Sequence, residues 1–141
     1  MSTYIRLFLS LLLILVSIAA FGGGVAMMLG ALYPERDMMK MSLSLLEPIP
    51  FINSWFIPGL LLFCLNGIGS GWAAWICLKC GNQGAGKAGL MMGSILCIWI
   101  IVQVILIGYV SILQSIFGII GLVEIIVAIL LLKINTLSHE F

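Results

Sequence analysis

The chain has 141 residues, of which 63% are hydrophobic and only 8% charged, against roughly 25% charged in ordinary soluble domains. Six basic and five acidic side chains leave a net charge of +1, too few charges to clothe a water-soluble globule and too little positive charge to grip nucleic acid. A soluble domain, a disordered chain and a disulfide-rich secreted module are excluded, which leaves one membrane-embedded domain over residues 1–141.

Crossing a hydrocarbon core of ~30 Å takes ~20 helical residues, and four apolar stretches reach that length. The first, about 4–30, carries Arg6 as its only charge. Its basic start and the small-x-small step Ser17-Ile18-Ala19 have the look of a secretory signal. The apolar run continues to Leu29, however, past the ~7–15 residues of a signal h-region, so a retained helix is expected. Residues 31–54 follow as the one sizeable loop. Inside it Met38–Glu47 has helical periodicity, with Lys40, Ser44 and Glu47 on one stripe and Met38, Met41 and Leu45 on another. The segment is too short to span, and Pro48 and Pro50 end it, since proline lacks the N–H a helix needs. It reads as an interfacial helix or as a cap over the mouth of its own bundle.

The second stretch, about 55–78, is closed by Lys79 and followed by a glycine-rich loop, Cys80–Lys87. The third, about 89–113, passes directly into the fourth, about 114–132, which Lys133 closes. So tight a turn at Leu113–Gln114 forces an antiparallel hairpin. Strand-like alternation is absent, which removes a β-barrel. The expected fold is an all-α membrane protein, four transmembrane helices in an antiparallel bundle with a short interfacial helix in the first loop.

Basic residues flanking the spans set orientation. With both termini cytoplasmic, Arg6, Lys79, Lys87 and Lys133 lie inside, and Arg36 and Lys40 outside. Tyr33, Phe51, Trp55 and Phe56 then sit at the outer interface, Trp72 and Trp75 near the inner one.

Three apparent motifs carry little chemistry. Gly81-x4-Gly86-Lys87 imitates a phosphate-binding loop, but Ala88 stands where a metal-binding hydroxyl belongs and a helix precedes it instead of a strand. Cys77-x2-Cys80, with Cys64 and Cys97 elsewhere, lacks the His and Cys ligands of a zinc site and reads as free thiols used as small apolar residues. Gly67-x3-Gly71 and Gly89-x3-Gly93 are small-residue faces that let helices approach closely. They serve packing within the chain, or contact with a second copy or another membrane protein. No cofactor or metal is expected, and no nucleophile–base pair can be assembled, so an enzyme is not expected.

One constellation remains. Glu124 is the only acidic residue deep inside a span, where a charge costs ~2.5–3.5 kcal/mol even on the mildest scale. Its own face is small, with Gly121 and Ala128, while Ile119, Leu122, Ile126 and Leu130 take the opposite side. Gln103 stands ten residues before Leu113 and Glu124 ten after Gln114; at ~1.5 Å per residue both lie ~15 Å from that turn. Asn66 enters from the same face to ~16 Å, and Ser17 of the first span comes within about a turn. Asn66, Gln103 and Glu124 are therefore expected at one level, either as interhelical hydrogen bonds worth ~0.6 kcal/mol each or as a proton or cation site. Transport needs a broken helix near the site, and Pro58-Gly59 and Gly67-Ile68-Gly69-Ser70-Gly71 loosen the second span.

Phe56-Ile57-Pro58-Gly59-Leu60-Leu61-Leu62-Phe63 and Trp99-Ile100-Ile101-Val102-Gln103 resemble a pattern in small, uncharacterised bacterial four-helix membrane proteins. The resemblance covers the C-terminal two-thirds of the chain and implies a bacterial plasma-membrane address without implying an activity. The functional expectation is a structural or accessory membrane subunit; the alternative is a small proton- or cation-coupled transporter working through Glu124.

Overall fold

The structure is a computed structural model, which describes residues 1–36, 43–47 and 52–139. Four of its helices are long and apolar enough to cross a membrane, and there is no strand among the described residues. Helix α1 (Ser2–Leu32) is unbroken. The second candidate span is composite: α2 (Phe56–Leu61), a π-helical segment (Leu62–Ile68) and α3 (Gly69–Lys79). Helices α4 (Asn82–Ile107) and α5 (Ile112–His139) complete the set.

Pro58 is tolerated in α2 because it lies in the first turn, where a missing N–H has no intrahelical partner to lose. Gly59 beside it lets α2 touch α1: a Cβ there would stand 2.8 Å from the Gly24 carbonyl oxygen. At the other end of the same pair Arg6 Nη1 donates to the Cys80 carbonyl. Between these points Ser10 Oγ donates to the Ala74 carbonyl at 3.4 Å and Ser17 Oγ to the Gly67 carbonyl at 2.7 Å. Helices α4 and α5 run alongside each other through Gly86 against Leu132, Gly89 against Ala128 and Gly93 against Gly121. Gly67 and Gly71 face Phe21 and Ser17 of α1, so all four stripe glycines meet helices of their own chain.

The structure corrects two boundaries. Asn82–Lys87, read as a glycine-rich loop, is the first part of α4. Gly86 serves contact there: a Cβ would come within 2.7 Å of Leu132. The turn before α5 lies at Gly108–Ser111, ahead of the expected Leu113–Gln114 junction. Gly108 breaks α4 with φ +78°, a conformation that is essentially glycine's alone when the backbone is otherwise extended, as here at ψ −177°. Gln114 then closes the turn. Its Oε1 accepts from the Val110 and Ser111 N–H groups at 2.9 and 3.4 Å, and its Nε2 donates to the Gly108 carbonyl at 3.3 Å.

Of the expected interfacial helix, Leu43–Leu46 is a short 3-10 turn; Met38, Lys40, Met41, Pro48 and Pro50, like Phe51, lie outside the described residues. Trp55 is not a surface anchor. It is buried against Met27 and Leu46 in a small core at this end of the molecule, whereas Trp72 and Trp75 are exposed with ring centroids 5.2 Å apart. The larger core, around Leu9, Leu13, Ala74, Met92 and Leu131, fills the opposite end, toward the start of α1 and the Lys79–Asn82 connection.

Candidate functional site

Packing is uneven along the molecule. Around the larger core, α1 lies against α5 and α3 against α4; toward the Gly108–Ser111 turn, α2 stands away from α4. The separation leaves a cavity of about 700 Å³. Its walls are apolar side chains such as Val16, Leu62, Leu96, Ile100 and Phe117, and among the described residues no charged one lines it. Leu45 and Leu46 reach it from the segment after α1.

Three amide side chains line this cleft: Asn66, Gln103 and Gln114. Gln114 is committed to the turn, as described above. Asn66 is different. It sits in the π-helical segment, is 0% exposed, and neither its Oδ1 nor its Nδ2 has a hydrogen-bond partner. Trp55, which also lines the cleft, has a buried indole N–H without a partner. Buried polar atoms are paired in the large majority of cases; the Asn66 amide and the Trp55 indole N–H are exceptions, closed off beside the cleft rather than open to it.

Glu124 does not line the cleft. It is 0% exposed, and neither carboxyl oxygen has a partner. Gly93 and Gly121 let α4 and α5 come together around it: a Cβ at Gly93 would stand 3.0 Å from the Glu124 Cβ. Gly93 faces Glu124 and Gly69 faces Met92, so the carboxyl stands near the depth of Gly69, between Asn66 and Ser70 on the second span. The Ser70 hydroxyl is likewise buried and unpaired.

Asn66 and Glu124 thus share a depth, while Gln103 does not join them. It stands ten residues beyond Gly93 along α4, ~15 Å at the helical rise, on the cleft wall near the turn. The reason is the displaced turn: moving the reversal to Gly108–Ser111 brings Gln103 toward the end of its helix and leaves Glu124 deep. Ser17 is at the expected depth but spends its hydroxyl on the Gly67 carbonyl. Ser70, Trp55 and the cleft itself escaped sequence reasoning. The sequence places Ser70 only within the small-residue run Gly67–Gly71 that loosens the second span.

All four cysteines are free, and among the described residues no three His, Cys, Asp or Glu side chains gather as a metal site. No family model matches the chain, and no curated protein or solved structure matches it.

Proposed function

We propose that the chain is a multi-pass protein of the bacterial cell membrane, its four spans antiparallel and both termini cytoplasmic, and that it acts as a small proton- or cation-coupled transporter through Glu124. The observation that carries the reading is a buried carboxyl without a partner, near the depth at which Asn66 forms part of a cleft wall. A charge-bearing group inside a membrane span is expensive, and such groups mark ion and proton pathways when they face the bundle interior. The π-helical segment supports the same reading, because irregular helix beside the site is what moving parts require. The 3-10 turn Leu43–Leu46 belongs to an element at the outer interface.

A structural or accessory subunit is the second reading. It is favoured by the bonds of Ser10 and Ser17 to carbonyls of the second span, which tie the helices together without help from Glu124. Reconstitution in liposomes separates the two. Glu124→Gln keeps the shape and hydrogen-bonding capacity of the side chain and abolishes its titration. In the transporter it inserts and melts like the parent yet loses pH-driven flux of a proton-sensitive dye. A parent protein without flux between pH 5 and 8 leaves the structural reading.

A further inference from the structure

Three of the buried polar side chains without a partner, Asn66, Ser70 and Glu124, stand on spans that face each other. Helix α1 packs on α3 and α5, and α4 packs on the same two, so the second and fourth spans lie across the bundle axis. Gly67 and Gly71 turn to α1 and Gly69 to α4. At about 100° per residue, Asn66 and Ser70 fall between those two faces and point across the axis toward α5. Ile68, Trp72 and Trp75 take the exposed side. Depth agrees along a second route. Gly89 meets both Leu9 of α1 and Ala128 of α5. Arg6 bonds the Cys80 carbonyl beside the start of α4, so Leu13, Gly93 and Glu124 all lie one turn further from that end. Ser10 and Ser17 bond the Ala74 and Gly67 carbonyls, which sets Leu13 level with Ser70 and Gly71. Glu124 and Ser70 therefore share a level.

Both Glu124 carboxyl oxygens, Asn66 Oδ1 and Nδ2 and Ser70 Oγ are closed to water and unpaired, a costly state for buried groups. A proton on the carboxyl makes one donor, enough for Asn66 Oδ1 or Ser70 Oγ but not both. A cation bonds several oxygens together, and carboxylate, amide and hydroxyl oxygens suit a hard one. One carboxylate balances one positive charge; a divalent ion would keep an uncompensated charge inside the span. Since water does not reach these atoms, the ion sits there without its hydration shell, and a bare sodium ion is smaller than a water molecule. We propose that Glu124, Asn66 and Ser70 form a binding site for a dehydrated sodium ion on the bundle axis. Its ligands are one Glu124 oxygen, Asn66 Oδ1 and Ser70 Oγ, and the second carboxylate oxygen accepts from Asn66 Nδ2. The proposal rests on the reading of Glu124 as the coupling group and names the ion it couples to. The π-helical segment that carries Asn66 is the part of the site able to shift and admit the ion.

The test is thermal unfolding of the whole protein in detergent, in sodium, potassium or choline chloride at one ionic strength. Sodium is expected to raise the midpoint saturably by about 5 °C, as a ligand of the folded state does. Potassium, which is larger and asks for more oxygens, and choline should leave it unchanged. Glu124→Gln should abolish the rise. Ser70→Ala removes a hydroxyl that bonds nothing and so folds like the parent; it should need about tenfold more sodium for half the rise. It decides the matter if Glu124→Gln fails to fold. No rise in sodium, an equal rise in potassium, or an unchanged sodium requirement in Ser70→Ala overturns the proposal. Flux in liposomes separates this from the transporter reading. Flux that needs Glu124 while sodium leaves the midpoint unmoved keeps the transporter, with the proton as its coupling ion, and overturns the sodium site. A sodium-dependent midpoint that needs Glu124 and Ser70, in a protein without flux under any gradient, supports the site and ends the transporter reading.

Discussion

Gly93 and Glu124 meet where α4 and α5 pack tightly: a Cβ on the glycine would stand 3.0 Å from the Glu124 Cβ and 2.9 Å from the Gly121 carbonyl oxygen. The contact fixes which parts of the two helices share a depth. Backbone on one side cannot yield to an added methyl as the end of a flexible side chain would. Gly93→Ala is therefore expected to cost about 1–3 kcal/mol as overpacking, read as a lower unfolding midpoint in detergent. Gly22, whose Cβ position meets nothing within 4 Å, supplies the contrast: Gly22→Ala should gain about 0.5–1 kcal/mol from helix propensity. Equal effects at the two sites would contradict the close crossing.

Glu124→Leu is expected to melt at or above the parent. The carboxyl oxygens bond nothing, so removing them strands no partner, and an unpaired carboxyl costs more to bury than a leucine. A fall of about 1–3 kcal/mol, the usual cost of leaving a buried partner unmet, would reveal a hydrogen bond and refute the geometry. Gained stability together with lost flux would identify the carboxylate as kept for function at the expense of folding.

The Gly108–Ser111 turn rests on the Gly108 backbone conformation and on the three bonds of the Gln114 side chain, beside the lesser bonds of Ser111 and Tyr109. Gly108→Ala should lose about 1–3 kcal/mol because an L side chain is strained there; no neighbour lies within 4 Å of the position, so the penalty is conformational. Gln114→Ala should lose about 1–2 kcal/mol by releasing the two amides and the carbonyl it satisfies. Since both act on one turn, the double variant should fall short of the sum. Thermal unfolding of the three variants checks this.

Orientation is open to labelling in a background lacking Cys64, Cys77, Cys80 and Cys97. A cysteine at the exposed Ser44 is expected to react with an impermeant maleimide in intact cells, and one at the exposed Gln83 only after lysis. The opposite pattern would reverse the proposed topology.

The number of helices and the inward face of Glu124 were legible because bulk separates cleanly around α5. Gly121 and Ala128 are buried, while Ile119, Leu122, Ile126 and Leu130 are 47–61% exposed. The reversal between α4 and α5 was not legible. Gly108-Tyr109-Val110 is nearly as apolar as its flanks, so hydropathy runs through it, and only a backbone angle betrays the break. That displacement alone separated Gln103 from its expected neighbours. Glycine misled in the other direction at Gly84 and Gly86, where clustered small residues look like a loop but serve helix contact. Trp55 followed the aromatic-belt expectation in position only, because the core it enters depends on Leu46, a residue the pattern assigned to a separate helix.

The π-helical segment also has a consequence for how the two ends of the second span meet α1. A wider turn is what an α-helix becomes when it absorbs one additional residue without losing its ends. One residue corresponds to about 100° of rotation in an α-helix with 3.6 residues per turn. Deleting a single position between Leu62 and Ile68 would thus give an ordinary continuous helix in which Gly59 and Ser70 no longer address the neighbours they have now. Either Gly59 would swing away from Gly24, or Gly71 and Ala74 would leave Ser17 and Ser10. The wider turn is what lets both ends of the second span keep their contacts with α1, Gly59 at Gly24 and Gly71 at Ser17.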